Sequence, residues 1–376
     1  MPTGITYSSE APLVAVVDLG AIRHNVEYIR SLLPEGCRFM AVVKANAYGH
    51  GDVAVSKAAI EAGADVLAVA IPDEGARLRM MGFTHPVHLL FEPPPEAAAA
   101  VVADGMTCTV YTVPFARALS VAADAAGKRV PVTIEVDTGM RRVGVFPEEA
   151  VAFAKKADAM PGIEVDSIST HFPCATTPDD DFTNKEIAQF ESVSDAVQEE
   201  LGRKLTRHAA NSAAAIAYPE IRLDMARVGI AMYGLAPSDA LADENLRPAM
   251  SVRGRVALVR RVKAGQGISY GHLQSLERDS SLATIPAGYA DGFSRLLTGK
   301  AEVLVRGRRH PVVGAICMDL CMVDMGDAEA EAGDEFVIIG QQGSESITAD
   351  ELAGRLGTIN YEIVCMVGAR VPRIYT

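Results

Sequence analysis

Between residues 39 and 228 the chain alternates short apolar runs with amphipathic helical patterns, and few folds accommodate so regular a rhythm. The runs at 39–43, 66–70, 87–90, 108–111, 132–136, 165–170, 205–208 and 223–228 read as strands buried on both faces. The intervening helices carry their own punctuation. Asp52 suits an N-cap, Val55, Ala58, Ala59 and Ala62 share one face, and Gly63 ends the pattern. Pro114, Pro147 and Pro219 stand where helices begin, a position that tolerates a missing N–H. About eight strand–helix units in roughly 210 residues predict an α/β fold with an N-terminal (β/α)8 barrel of the TIM type, a doubly wound open sheet being the competing arrangement. Near 239–248 a polar, proline-bearing stretch reads as a linker. Beyond it strands dominate: runs at 252–262, 281–285, 302–305, 312–323 and 335–339 are interrupted by one helix that starts at a Thr348–Glu351 capping box. The expected domains are a barrel over 12–240 and a mostly β domain over 241–376.

The first of the eight runs ends in Lys44, and barrels of this kind place reactive groups at the carboxyl ends of their strands. Searching those ends yields Lys44 and Tyr48 after the first run, Asp137 to Arg142 after the fifth, His171 after the sixth, Asn211 and Ser212 after the seventh, and Arg227 to Ile230 after the eighth. Each has a plain structural explanation when taken alone: a solvated lysine at a strand end, a hydrogen-bonded core histidine, arginines paired with Asp137 and Asp224. The combination is more demanding. The loops after the last two strands are the usual phosphate seat of this fold, and Ser212 and the N–H groups around Gly229 equip them for a dianion. A lysine facing a phosphate seat across one rim suits pyridoxal phosphate, whose aldehyde combines with an amine.

Charge narrows the partners. With 35 basic and 48 acidic side chains the net charge is −13, which opposes nucleic acid and anionic membrane surfaces. No apolar stretch is long enough to cross a bilayer, and the first ten residues lack the basic start and apolar centre of a secretion leader. The six cysteines are scattered through apolar surroundings, and Cys317 and Cys321 lack two further ligands for zinc, so no metal is expected and a cytoplasmic setting is.

The motifs AVVKANAYGHG, DTGMRRVG, STHF, HAANSAA, ARVGIAMYGL, ISYG, PAGYADG, AICMD and TINYE, in that order over nearly the whole chain, resemble those of the alanine racemase family. The resemblance implies a pyridoxal 5'-phosphate enzyme that interconverts L- and D-alanine. It also implies that the opening strand, within 1–19, joins the second domain, and a head-to-tail homodimer in which each barrel is completed by the second domain of the other chain. Carried over motif by motif, Lys44 is the residue that takes the cofactor aldehyde and serves as one acid–base group, and Tyr270 of the other subunit is the second. His171 stands behind Tyr270 and Arg227 behind His171, with Arg227 also at the pyridine nitrogen. Tyr48, Asn211, Ser212, Gly229, Ile230 and Tyr361 hold the cofactor; Arg142 and Met318 take the substrate carboxylate; Tyr289 and Asp319 line the entrance. One position departs from the pattern. Many members have a lysine bearing a carbamate where this chain has Glu135, whose carboxylate is then expected to orient Arg142, directly or through water or chloride. A basic amino-acid decarboxylase of the same architecture would place a carboxylate at the ring nitrogen, and a pyridoxal-phosphate carrier would not need the second domain. A serine or broad-specificity racemase is the remaining alternative.

Overall fold

The computed structural model describes residues 11–177 and 181–376, so the reading of the first ten residues as lacking a leader lies outside the described residues. The chain forms two units: Gly20–Ala47 with Asp52–Arg247, and residues 11–19 with Tyr48–Gly51 and Pro248–Thr376.

All eight sequence runs of the first unit form parallel strands, each within two residues of its expected bounds. Numbered along the chain after the opening strand β1 (Leu13–Val17), they are β2 (Arg38–Val42), β3 (Val66–Val69), β4 (Val87–Leu89), β5 (Thr107–Val110), β6 (Val130–Glu135), β7 (Ile163–Ser169), β8 (Thr206–His208) and β9 (Met225–Val228). The sheet order β8-β7-β6-β5-β4-β3-β2-β9 brings the last strand beside the first, which a doubly wound open sheet does not do. Between β8 and β9 the N–H of Arg227 reaches the Ala210 carbonyl at 2.8 Å and that of Asp224 the Arg207 carbonyl at 3.1 Å, so the barrel is nearly closed.

Strand β2 shows why the pattern works. Phe39, Met40, Ala41 and Val43 are at most 1% exposed, and β-rich apolar residues facing both ways stabilise a strand covered on both sides. Just past it the backbone turns left-handed for four residues: Ala45, Asn46, Ala47 and Tyr48 have φ between 52 and 54°. L-residues enter this conformation at a cost of about 1–2 kcal/mol each. The turn is held by the Ala45 N–H on Glu74 Oε1 (2.6 Å) and by Asn46 Oδ1, which accepts the Asp52 N–H at 3.0 Å.

In the second unit, β1 pairs antiparallel with β10 (Met250–Arg255) and parallel with the C-terminal strand Arg373–Tyr375. The remaining strands extend the same sheet, except Gly267–Ile268 and Gln274–Ser275, which pair only with each other, and the run expected at 252–262 is divided into β10 and Leu258–Val262. The run expected at 312–323 is likewise two strands, Arg308–Val313 and Cys321–Gly326, because Gly314 adopts φ +67° and sends residues 314–320 into a loop. The helix Ala349–Leu356 starts at Thr348, whose side chain accepts the Glu351 N–H, and ends at Gly357 with φ +75°. A second helix, Asn360–Met366, follows where the sequence reading placed none; its single short turn of burial, Ile363 and Val364, gives too little periodicity to register.

The buried Tyr233 hydroxyl donates to the Val42 carbonyl at 2.8 Å, tying the segment after β9 to the mouth of β2. Tyr233→Phe strands that carbonyl and should lower stability by about 1 kcal/mol, read as a lower urea midpoint at unchanged slope.

Candidate active site

The carboxyl ends of the barrel strands gather the expected residues of the first unit onto one rim. Lys44 follows β2 and is half-buried, its position fixed by the left-handed turn. Glu74 clamps this corner, accepting the Ala45 N–H and, through its other oxygen, the Ala70 N–H at 2.8 Å.

After β6 the loop is folded by Asp137, whose Oδ1 accepts the N–H groups of Gly139 (3.0 Å) and Arg141 (2.9 Å). Arg141, at φ +55°, keeps its guanidinium 3.8 Å from that same carboxylate. The adjacent Arg142 is therefore released from Asp137 and lies instead with its guanidinium carbon 5.3 Å from the centre of the Phe91 ring, which also carries Lys44 Nζ at 5.4 Å. Glu135 does not reach Arg142 within ion-pair distance; its carboxylate accepts the Ser169 hydroxyl. Burial raises its pKa, and Arg227 opposes that rise more strongly than Arg142 does.

Arg227 is the buried centre of the rim, 7% exposed. Its Nη1 donates to the His208 carbonyl (2.5 Å) and to His208 Nδ1 (3.0 Å). Its Nη2 reaches the carbonyls of Thr170 (2.7 Å) and Ala209 (3.3 Å) and His171 Nδ1 (3.4 Å). Asp224 is not its partner, being committed to Arg207. A guanidinium only donates, so both Nδ1 atoms accept and both imidazoles are neutral with their protons on Nε2. Behind His208, His88 sits edge-on with ring centres 6.1 Å apart, its nitrogens bonded to Thr107 and Thr109. Burial, then Arg227, Arg142 and Lys44, hold the His171 imidazole down at about 3. His88 is likewise held at about 3, and His208 well below its ordinary value, by burial and then Arg227.

The loops after β8 and β9 meet through Ser212, 4% exposed, whose Oγ accepts the N–H groups of Gly229 (2.9 Å) and Ala231 (3.4 Å). Asn211 caps the short helix Ser212–Ala217 through the Ala214 N–H at 3.0 Å. Ile230 follows Gly229 as the buried first residue of a 3-10 turn.

The second unit holds the other expected residues. Tyr270 is 73% exposed, between Ser269 at φ +63° and Gly271 at φ +70°. The Ser269 hydroxyl anchors this turn on the Ala315 carbonyl at 2.7 Å. The loop that follows exposes Met318, while the Cys317 and Met318 carbonyls accept the N–H groups of Tyr289 and Ala290 at 3.0 Å each. Arg370 joins Asp319 (2.8 Å) to Asp291 (2.7 Å). Tyr361 and Tyr48 approach with ring centres 6.1 Å apart, burial pushing the Tyr361 phenol up to about 12 and the Tyr48 phenol higher. Sequence reasoning passes over Phe91 and His208: the first lies one residue past the run read at 87–90, the second is part of a motif with no sign of its bond to Arg227.

The donor set on the barrel rim suits pyridoxal phosphate: a primary amine, a buried hydroxyl with backbone N–H groups for a dianion, and a donor-only guanidinium. Fold and rim define a barrel protein with an amine-bearing strand end and a separate β unit. The family model described as "Alanine racemase, N-terminal domain" matches residues 17–237, and "Alanine racemase, C-terminal domain" matches 249–375. The chain is 46% identical over 370 residues to an alanine racemase of Desulfovibrio desulfuricans, covering 98% of this chain and 99% of that one. It is 44% identical to one of Methanococcus maripaludis, covering 97% and 98%. The crystal structure of an alanine racemase from D-cycloserine-producing Streptomyces lavendulae superposes with TM-score 0.94 at 37% identity, covering 98% of each chain. That of Bacillus anthracis with bound L-Ala-P gives 0.92 at 36%, covering 99% and 96%. The chain belongs to the alanine racemase family.

Because His88 and His171 titrate near 3 when folded and near 6.5 when unfolded, the unfolded chain binds more protons between those values. Their contribution is complete above pH 6.5 and is lost as pH falls toward 3. Both imidazoles should stay neutral at pH 5 in ¹H–¹⁵N spectra of the folded chain; titration near pH 6.5 would contradict the arrangement.

Proposed function

We propose that this chain racemises alanine with pyridoxal phosphate joined to Lys44. The observation that carries this reading is the rim itself: Lys44 stands at one strand mouth, with Arg227 buried among carbonyls and accepting imidazoles. Bound there, pyridoxal phosphate supplies an electron sink that acidifies the α-hydrogen of an amino acid. Lys44 Nζ takes or returns the α-proton on one face, and the Tyr270 phenol oxygen of a second copy does so on the other. Arg227 would face the ring nitrogen of the cofactor with a donor that does not readily give up its proton, so that nitrogen would stay unprotonated and reactions other than proton exchange would be restrained. Ser212, Gly229 and Ile230 hold the phosphate, with Asn211 bracing their loop and the Tyr48 and Tyr361 phenols as further donors. Arg142 and the Met318 N–H of a second copy take the carboxylate, with Tyr289 and Asp319 at the entrance. Glu135 supplies a fixed negative charge to the two arginines without needing carbon dioxide.

Exposure of Tyr270, Leu273, Tyr289, Met318 and Leu320 together on the second unit supports a head-to-tail dimer in which these side chains are offered to another copy. A cytoplasmic setting also belongs to the proposal: all six cysteines are free, and among the described residues no helix is long and apolar enough to cross a membrane. A serine or broad-specificity racemase is not favoured, since relatives along the whole chain are alanine racemases.

Borohydride reduction of the cofactor-loaded protein followed by peptide mapping should place the pyridoxyl group on Lys44, and L-alanine should lose optical activity faster than any other member of an amino-acid panel. A label on a different lysine, or faster loss with serine, would refute the respective part. Mixing Lys44→Ala with Tyr270→Phe chains should restore up to one intact site per heterodimer; demonstrable heterodimers without activity would sink the shared site.

A further inference from the structure

We propose that Phe91 is a positioning residue: its ring seats Arg142 beside Lys44 and so sets the separation between the group that meets the amino end of the substrate and the group that meets its carboxylate. The inference rests on the roles given above to Lys44 and Arg142.

Three observations carry it. First, the ring holds two cations at once, Lys44 Nζ at 5.4 Å and the Arg142 guanidinium carbon at 5.3 Å from its centre, both inside the roughly 6 Å range in which an aromatic quadrupole attracts positive charge. Like charges drawn to one ring would otherwise drift apart, and that both act on the His171 imidazole places them in a common neighbourhood. Second, the carboxylates nearest Arg142 in sequence, Asp137 and Glu135, are engaged elsewhere. Asp137 is taken by Arg141 and two loop N–H groups, and Glu135 by Ser169. Among the described residues Arg142 has no carboxylate within ion-pair distance, so the ring is what orients it.

Third, the backbone beneath the ring is fixed. Leu90 donates its N–H to the Val69 carbonyl at 2.9 Å. On the other side, Glu92 accepts the N–H groups of Tyr111 (2.7 Å) and Thr112 (2.8 Å) and the Thr112 hydroxyl, bolting the end of β4 to the end of β5. Pro93, Pro94 and Pro95 follow, limiting the backbone further. Phe91 is thus a platform between two rigid strand ends rather than a side chain on a mobile loop. It touches no proton in transit, so its influence falls on recognition of the carboxylate.

The test compares Phe91→Leu, which keeps an apolar side chain but removes the quadrupole, with Phe91→Tyr, which keeps both; Phe91→Met replaces the leucine variant if that chain does not fold. All are studied as cofactor-loaded protein. The leucine variant should raise KM for L-alanine about threefold to tenfold with kcat within twofold, and should weaken acetate binding, read from cofactor absorbance, by the same factor. The tyrosine variant should match the parent in both. An unchanged KM and acetate affinity in Phe91→Leu, or an equal loss in Phe91→Tyr, would overturn the proposal. Borohydride mapping of each variant separates the two levels of inference: a pyridoxyl group absent from Lys44 in the parent overturns the underlying reading, whereas a label on Lys44 with unaltered carboxylate binding overturns only the role of Phe91.

Discussion

A guanidinium buried in a barrel with no carboxylate within ion-pair distance among the described residues is the constraint on which this rim depends. Removing a charge from water costs several kcal/mol even after relaxation, and here carbonyl dipoles at hydrogen-bond distance, helped by the charge of Glu135 beyond ion-pair reach, offset it. The carbonyls of Thr170, His208 and Ala209 lie at or just beyond the ends of β7 and β8, and Arg227 itself is on β9. The same side chain therefore laces together three strand ends at the seam where β8 and β9 are not joined by a regular ladder. It also dictates protonation: two imidazoles must accept from it, so neither can carry a second positive charge. Geometry and electrostatics at this rim have one cause.

The second constraint is conformational. Ala45, Asn46, Ala47 and Tyr48 occupy the left-handed region in succession, where only the asparagine among them is commonly found. Strain of this size persists only where surrounding contacts over-determine it, and Glu74 and Asn46 supply those contacts on the barrel side. An ordinary right-handed continuation would carry the chain after Lys44 in another direction. The lysine is thus aimed by its successors in sequence as much as by the strand beneath it.

Much of this was legible from residue order, and the exceptions have physical reasons. Buried parallel strands announce themselves because both faces are apolar, so all eight barrel runs and the lysine ending the first could be read directly. Strands of the second unit alternate, and a pattern that continues through Gly314 hides the turn that divides 312–323. Arg141 and Arg142 are the same residue type side by side; only the positive φ of the first decides which one Asp137 keeps. Glu135 lies on the arginine side of its strand, yet Ser169 on the neighbouring strand is nearer in space and no sequence spacing reveals that. Phe91 looks like one more core aromatic until two cations are found on its ring.

The pairing of β1 with β10 has a consequence for how the molecule comes into being. Leu13 faces Gly254 and Val17 faces Met250, so 232 residues (250 − 17 − 1) separate the two strands in the chain. At about 5–20 residues per second, a ribosome makes β1 some 10–50 s before its partner exists. Throughout that interval the barrel strands, whose neighbours are mostly consecutive, have what they need to assemble, while an apolar strand edge waits unpaired. Translation imposes an order of events that the finished fold conceals: a strand made before the whole barrel cannot pair until the barrel has been made.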